Sequence, residues 1–208
     1  MTRLALPPLY AIVDPLDTGR DPVDLAIALL AGGARLLQLR LKSAGARQLL
    51  EVARAVRLHT RRAGALLIVN DRADVARAAD ADGVHLGQDD IPIAAARAIL
   101  PPGAIVGLST HDVGQARAAN GADYLGVGPI FPTGSKAGAL TARGLELLGA
   151  VRAVSPLPLV AIGGITGETG PAVRRAGADA VAMIAGLVRA PDVAARVRDV
   201  VVRLGQVA

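Results

Sequence analysis

The chain contains no cysteine and no tryptophan among its 208 residues. Without cysteine there is no disulfide, no thiol nucleophile and no cysteine-ligated zinc, which fits a reducing compartment. The first residues, MTRLALPPLY, have too short an apolar run before the proline pair for a signal peptide, and no stretch approaches the roughly 20 apolar residues of a membrane span. We therefore expect a soluble, cytoplasmic protein with no membrane partner.

Aromatic residues and lysine are also scarce. One Phe and two Tyr offer little surface for stacking nucleic-acid bases despite the net charge of +5. Of the 23 basic residues only Lys42 and Lys136 are lysine, and the arginines are scattered singly along helical stretches, as is typical of solvated helix faces. The sequence therefore predicts no nucleic-acid partner. The two lysine positions are unusual in a chain that otherwise uses arginine, and they are candidates for a functional role.

Short apolar runs rich in β-branched residues recur along the chain with amphipathic helical segments between them. This alternation predicts a parallel sheet with crossover helices. Eight such units without a linker favour a single domain over residues 1–208, of the α/β class, closed as a (β/α)8 TIM barrel; an open doubly wound sheet is the alternative. The predicted strands are Leu9–Asp14, Leu36–Leu41, Ala65–Asn70, Gly83–Leu86, Ile105–Ser109, Tyr124–Val127, Leu159–Ile162 and Ala180–Ile184.

A repeated junction supports this organisation. The segments AGGARLLQL, NGADYLGV and AGADAVAM each run from a helix end through glycine into alanine, a charged residue and an apolar strand. Glycine in this position predicts a helix C-cap, because it adopts the left-handed conformation that lets the chain reverse.

Polar side chains follow most of the predicted strands, at the end where barrels and doubly wound sheets carry their ligand chemistry. In LLQLRLK, residues Gln38, Arg40 and Lys42 alternate with leucines, so the period of a strand places all three on one face. An amide, a guanidinium and an ammonium together suit a ligand with a hydrogen-bonding ring and an anionic tail. The alternative is an ordinary amphipathic strand with its polar side in water.

Asp71 and Asp90 follow neighbouring predicted strands. Converging carboxylates repel each other unless a proton or a cation lies between them. Mg²⁺, held by one or two carboxylates with substrate phosphates completing its octahedron, would satisfy this arrangement. The alternative is helix capping, by Asp71 for the helix near Arg72 and by Asp89 or Asp90 for the next helix.

Residues suited to binding phosphate follow the last three predicted strands. They are Thr133, Gly134, Ser135 and Lys136 in one loop and the glycines of AIGGIT and IAGL, and the small residues among them let backbone N–H groups approach an anion. Neither a P-loop nor a dinucleotide fingerprint is present. His59, His85 and His111 have no sequence partner that suggests a nucleophile triad.

Taken together and in order, the motifs LLQLRLK, VND, VHLGQDD, GLSTH, GVGPIFPTGSK, AIGGIT and AMIAGL resemble the thiamine-phosphate synthase family across nearly the whole chain. The resemblance implies a (β/α)8 enzyme that joins 4-amino-2-methyl-5-hydroxymethylpyrimidine diphosphate to a thiazole phosphate and releases diphosphate, with Mg²⁺ as cofactor. It also implies loss of diphosphate to leave a stabilised pyrimidine-methyl cation, which the thiazole nitrogen captures.

The resemblance assigns roles residue by residue. Contacts to the pyrimidine diphosphate are implied for Gln38, Arg40, Lys42, Asn70, Ser109 and Lys136, with Arg40, Lys42, Ser109 and Lys136 as the catalytic set. Mg²⁺ ligation is implied for Asp71 and Asp90. A thiazole-phosphate cradle, mostly of backbone groups, is implied for Thr133, Gly134, Ser135, Gly164, Ile184 and Ala185. The chain departs from the family at Ala185, where serine is frequent.

Three other functions stay open on sequence alone. A thiazole tautomerase shares the barrel and the phosphate end, but carries a histidine where GVGPIF has Pro129. A non-catalytic barrel that binds a phosphorylated vitamin precursor would not need the whole charged set, and a phosphosugar isomerase or epimerase is more distant. Sequence leaves the oligomeric state, the preferred thiazole form and any regulation unresolved.

Overall fold

The computed structural model describes residues 4–133 and 141–206. Its eight strands are parallel and pair in sequence order, and β1 pairs with β8 to close a barrel. The strands are β1 Leu9–Val13, β2 Leu36–Leu39, β3 Leu66–Asn70, β4 Gly83–Leu86, β5 Ile105–Thr110, β6 Tyr124–Val127, β7 Leu159–Ile162 and β8 Ala180–Met183. The predicted (β/α)8 TIM barrel is confirmed, and the open-sheet alternative is wrong.

Helices surround the strands and follow them in the order that the sequence predicts. They are α1 Pro22–Ala31, α2 Ala46–Arg62, α3 Ala73–Ala78, α4 Ile93–Ile99, α5 Val113–Ala118, α6 Gly144–Val154, α7 Gly170–Arg175, α8 Ala185–Val188 and α9 Val193–Gly205. The short helix α8 is an addition between β8 and the last amphipathic helix. Within residues 4–133 and 141–206 no helix is both long enough and apolar enough to cross a membrane.

The bounds of β4, β6 and β7 match the predicted ones, and the other five strands differ from the prediction at one end by one or two residues. The largest difference is at β2, which ends at Leu39 rather than Leu41. The Arg40 N–H still donates to the Val13 carbonyl at 3.0 Å, so the contact with β1 continues one residue beyond the strand. Arg40 therefore keeps the inward direction expected from strand alternation, whereas Lys42 lies beyond the strand.

The strands are buried on both faces, because helices cover the outside and side chains fill the inside. Every residue of β1, β2, β6 and β8 is buried. The glycines of the three repeated junctions, Gly33, Gly121 and Gly177, have φ of 102°, 87° and 112°. These left-handed conformations confirm the predicted turns from helix into strand.

A second repeat emerges at the N-terminal end of the barrel. Asp82, Asp123 and Asp179 each directly precede an even-numbered strand. Each carboxylate accepts the N–H of the first or second residue of the preceding odd strand, at 2.7 to 2.8 Å. Each also pairs with an arginine of the helix before that odd strand, namely Arg57, Arg97 and Arg152. These contacts fasten helices α2, α4 and α6 to the barrel, on the face opposite the strand ends that carry the polar residues.

We expect Asp82→Asn to destabilise the fold by about 1.5–3 kcal/mol, because Asp82 accepts two hydrogen bonds from Arg57 and one from the Leu67 N–H. Asp80→Asn is the matched control, since the Asp80–Arg61 pair has side chains 73% and 55% exposed and is worth at most about 1 kcal/mol. Urea unfolding measures both changes. Equal losses in the two variants would contradict the role assigned to Asp82.

Candidate active site

A cavity of about 390 Å³ opens at the C-terminal ends of the strands. This volume falls within the range of small-molecule sites. Its walls include eight residues that the sequence assigned to substrate, namely Gln38, Arg40, Asn70, Ser109, Thr133, Gly164, Ile184 and Ala185. Lys42, Asp71 and Asp90 follow β2, β3 and β4 at the same end, outside the cavity wall. The predicted residues Gly134, Ser135 and Lys136 lie outside the described residues.

Arg40 is oriented by an ion pair with Asp14. The two side chains are only 11% and 12% exposed, and the second oxygen of Asp14 accepts the Leu16 N–H at 3.1 Å. The carboxylate therefore holds one Nη of the guanidinium, and the remaining N–H groups keep the capacity to bind an anion. Sequence analysis placed Asp14 at this end of the barrel without giving it a role.

Lys42, Asp71 and Asp90 form a cluster of two carboxylates and one ammonium group. The Lys42 ammonium donates to Asp71 Oδ2 at 2.9 Å, and Asp90 Oδ2 accepts the Gly87 N–H at 2.6 Å. Burial raises the pKa of Asp90 and the neighbouring Asp71 raises it further, while the Gly87 N–H and the Lys42 charge lower it. The two carboxylates therefore share one region at a cost in charge repulsion, as expected of a site for a cation.

Helix capping does not account for either carboxylate. Helix α3 has Arg72 at its N-cap and α4 has Pro92, and neither cap position makes a side-chain hydrogen bond to the helix. Asp71 has φ of 63°, in the left-handed region that few residues other than glycine occupy. The predicted convergence of Asp71 and Asp90 is thus present, and the capping alternative is wrong for both residues.

A continuous chain of hydrogen bonds crosses the barrel interior. Gln38 Nε2 donates to Tyr10 Oη at 3.0 Å, and Tyr10 Oη lies 2.9 Å from Tyr124 Oη. His85 Nδ1 lies 2.9 Å from Tyr124 Oη, and His85 Nε2 lies 2.9 Å from Ser109 Oγ. Burial raises the pKa of both tyrosines, so both phenols are protonated at neutral pH. The chain connects Gln38 and Ser109, two of the predicted pyrimidine contacts.

Sequence reasoning missed three members of this chain. His85 was noted only as a strand residue without a partner, whereas it contacts both Ser109 and Tyr124. The available signal was the rarity of tyrosine, which matches the rarity of lysine. Gly107 leaves room for the phenol, since a Cβ there would lie 2.1 Å from the Tyr124 ring, and this close approach becomes apparent only in the fold.

The far side of the cavity is formed by the loops after β7 and β8. Gly164 has φ of 62°, and a Cβ on it would lie 2.4 Å from the Pro132 carbonyl oxygen. Glycine is therefore required here by the close approach of the chain after β6, in addition to any ligand. Ala185 and Gly186 line the cavity as the first residues of α8, where N–H groups have no intrahelical acceptor. No lysine or arginine is among the described residues of this wall.

The cavity therefore has two chemically different ends. Arg40 lies at one end, with Lys42 and the Asp71–Asp90 pair outside the wall beyond the ends of β2, β3 and β4, and backbone groups after β7 and β8 lie at the other end. Polar groups such as Gln38, Asn70 and Ser109 stand among apolar residues between them. Within the described ranges no group of three or more metal-ligating side chains occurs, so a cation here would need oxygens from a ligand. These features define a (β/α)8 barrel with a small-molecule site at the C-terminal ends of its strands.

Comparison with known proteins identifies the family. The family model described as thiamine monophosphate synthase matches residues 9–187. A thiamine-phosphate synthase of Moorella thermoacetica is 49% identical over 201 residues, which cover 94% of this chain and 96% of that protein. One of Methanoculleus marisnigri is 50% identical over 193 residues, covering 91% and 92%. The chain belongs to the thiamine monophosphate synthase family.

A solved structure agrees with this assignment. The thiamine phosphate pyrophosphorylase of Pyrococcus furiosus superposes with a TM-score of 0.88 at 37% identity and covers 97% of this chain and 96% of that one. The resemblance drawn from the strand-end motifs is thereby confirmed, and with it the expectation of a transferase of thiamine biosynthesis. A 3-hexulose-6-phosphate synthase at 20% identity, with a TM-score of 0.67, shows only that the fold is shared.

Proposed function

We propose that this chain is a thiamine-phosphate synthase that joins 4-amino-2-methyl-5-hydroxymethylpyrimidine diphosphate to a thiazole phosphate. The observation that carries the proposal is the two-ended cavity, with ionic groups at one end and backbone N–H groups at the other. The bond between the pyrimidine methylene carbon and the diphosphate oxygen breaks, and its electron pair leaves with diphosphate. The lone pair of the thiazole nitrogen then forms the new carbon–nitrogen bond, so no general base is needed.

The charged end would bind the diphosphate. Arg40 is held in place by Asp14 and can donate to phosphate oxygens, and Lys42 can turn from Asp71 toward the same anion. Charge held in place before reaction stabilises the developing negative charge on the leaving group. Asn70, at the end of β3, adds a neutral donor between these groups and the ring. Lys136 is proposed to join them on the strength of the family motif alone.

Mg²⁺ fits this end of the cavity. Asp71 and Asp90 would supply two carboxylates, and the diphosphate would supply the further oxygen ligands. When bound, Mg²⁺ would neutralise charge on the diphosphate. In its absence, the Lys42 ammonium partly balances Asp71.

The thiazole phosphate would bind at the opposite end. We propose that it lies against Thr133, Gly164, Ile184 and Ala185, all of which line the cavity, and that Gly134 and Ser135 belong to the same cradle. Because this wall presents no described basic side chain, the peptide N–H groups at the start of α8 are its main donors. A backbone contact would also explain why alanine serves at position 185, where the family often has serine.

The reaction is tested by incubating the protein with both substrates and Mg²⁺ and identifying the products by mass. The proposal expects thiamine phosphate and diphosphate, and neither product when one substrate is omitted. Rearrangement of the thiazole phosphate alone would favour a tautomerase, against which Pro129 in the cavity wall argues. Binding of both substrates without any product would favour a non-catalytic barrel. A cytoplasmic location stays a prediction.

A further inference from the structure

The buried series of hydrogen bonds from Gln38 to Ser109 also has a direction. Each group that accepts a hydrogen bond from one neighbour must donate its own proton to the next. We infer that this series is a one-way array of donors which holds His85 as the neutral Nε2–H tautomer and leaves the Ser109 hydroxyl proton free to donate into the cavity. Tyr10, Tyr124 and His85 are then positioning residues for the pyrimidine. This use of the array rests on the proposed function; its direction does not.

The direction follows from the two phenols. Tyr10 Oη accepts from the Gln38 amide, and within the described part of the chain its remaining hydrogen-bond partner is Tyr124 Oη. A buried phenol proton without an acceptor is costly, so Tyr10 donates to Tyr124. The proton of Tyr124 then goes to its other neighbour, His85 Nδ1, at 2.9 Å. Both phenols keep their protons at neutral pH because burial raises the pKa of each.

The tautomer of His85 follows from Tyr124. A neutral imidazole whose Nδ1 accepts carries its proton on Nε2, and that N–H donates to Ser109 Oγ at 2.9 Å. Ser109 is thereby an acceptor toward His85, and its own proton is left for another partner. Because Ser109 lines the cavity, a ligand with a hydrogen-bond acceptor, such as an unprotonated ring nitrogen, would be preferred to one with an N–H at that position.

The direct test is the tautomeric state of His85 in substrate-free protein, read from long-range ¹H–¹⁵N correlations of ¹⁵N-histidine-labelled protein. His111 is an internal contrast, because its Nδ1 lies 2.7 Å from the Gly128 carbonyl, which can only accept. We expect the proton on Nε2 for His85 and on Nδ1 for His111. A proton on Nδ1 of His85, or a doubly protonated His85 at neutral pH, would overturn the inference.

Two phenylalanine variants separate the effect of each tyrosine hydroxyl on the His85 tautomer from the packing of its aromatic ring. Tyr124→Phe removes the donor to His85 and should give a mixture of tautomers, whereas Tyr10→Phe leaves the Tyr124 proton on His85 and should keep Nε2–H. Both variants preserve an aromatic ring, and circular dichroism verifies the fold. The KM for the pyrimidine diphosphate should rise about 3- to 10-fold in Tyr124→Phe, with a smaller rise in Tyr10→Phe and little change in the thiazole-phosphate KM.

The outcomes distinguish this inference from the proposed function. Equal disturbance of the His85 tautomer by both variants would overturn the array. An unchanged pyrimidine KM in Tyr124→Phe, despite an altered tautomer, would overturn its link to the ligand. The expected tautomers in a protein that makes no thiamine phosphate would uphold the array and contradict the proposed function alone.

Discussion

Asp90→Asn is expected to lower the rate of thiamine phosphate formation at least about 100-fold, because loss of one of the two proposed Mg²⁺ ligands would remove several kcal/mol of charge stabilisation. In the absence of Mg²⁺, the folded state of the variant should nevertheless be at least as stable as that of the wild type near pH 7. Burial and Asp71 raise the pKa of Asp90 in the folded protein. A carboxyl with a raised folded pKa favours folding below its unfolded pKa, and this contribution disappears as pH rises through the folded pKa, so ionised Asp90 opposes folding.

Turnover and thermal unfolding, each with and without Mg²⁺, measure both parts of this prediction. Asparagine keeps an oxygen that can accept the Gly87 N–H, so the loop contact is preserved. Asp89→Asn is the matched control, since Asp89 is the exposed neighbour, and it should leave turnover and Mg²⁺-dependent stabilisation unchanged. Full activity in Asp90→Asn, or a loss of stability without metal, would mean that Asp90 is a structural residue.

Gly186→Asp is expected to raise the KM for the thiazole phosphate by about 10-fold or more, with little effect on the KM for the pyrimidine diphosphate. The substitution brings a negative charge to the wall where the phosphate is proposed to bind, and two like charges a few ångströms apart repel strongly in a partly dry site. Separate titration of each substrate measures the two KM values. An equal rise in both would place the phosphate elsewhere.

Gly186→Ala is the control for size. Outside its own helix, the nearest described atom to a Cβ on Gly186 would be the Ile165 carbonyl oxygen, at an ordinary contact distance of 3.8 Å, so alanine fits and should leave both KM values within about 2-fold. Gly164 is unsuitable for this test. Any side chain there would displace the chain at Pro132, and a loss of activity would report altered loop packing as well as altered phosphate binding.

The fold and much of the site follow from sequence patterns that physical periodicity controls. The strands were predicted within two residues because parallel barrel strands are short apolar runs bounded by helices. The inward direction of the Gln38 and Arg40 side chains followed from the alternation of side chains along a strand. Asp71 and Asp90 were correctly predicted to lie close together, because β3 and β4 are neighbours. Lys42 was only partly placed, since β2 ends before it and alternation no longer determines its direction.

The contacts that sequence could not provide join parts of the fold whose relative positions no local pattern determines. Tyr10 and Tyr124 meet across the barrel from β1 and β6, and no local pattern determines which interior side chains touch there. The Arg57–Asp82 contact likewise depends on how a helix packs over the sheet. Gly164 was assigned to phosphate binding, whereas its close approach to Pro132 depends on the relative positions of two loops.

The most direct test of the proposed reaction is the ratio of diphosphate released to thiamine phosphate formed, measured with both substrates in Mg²⁺ and again after EDTA treatment. We expect one diphosphate for each thiamine phosphate with Mg²⁺, and loss of both products together after EDTA, with recovery when Mg²⁺ is restored. Diphosphate release without thiamine phosphate, or a rate that EDTA leaves unchanged, would contradict the proposed reaction.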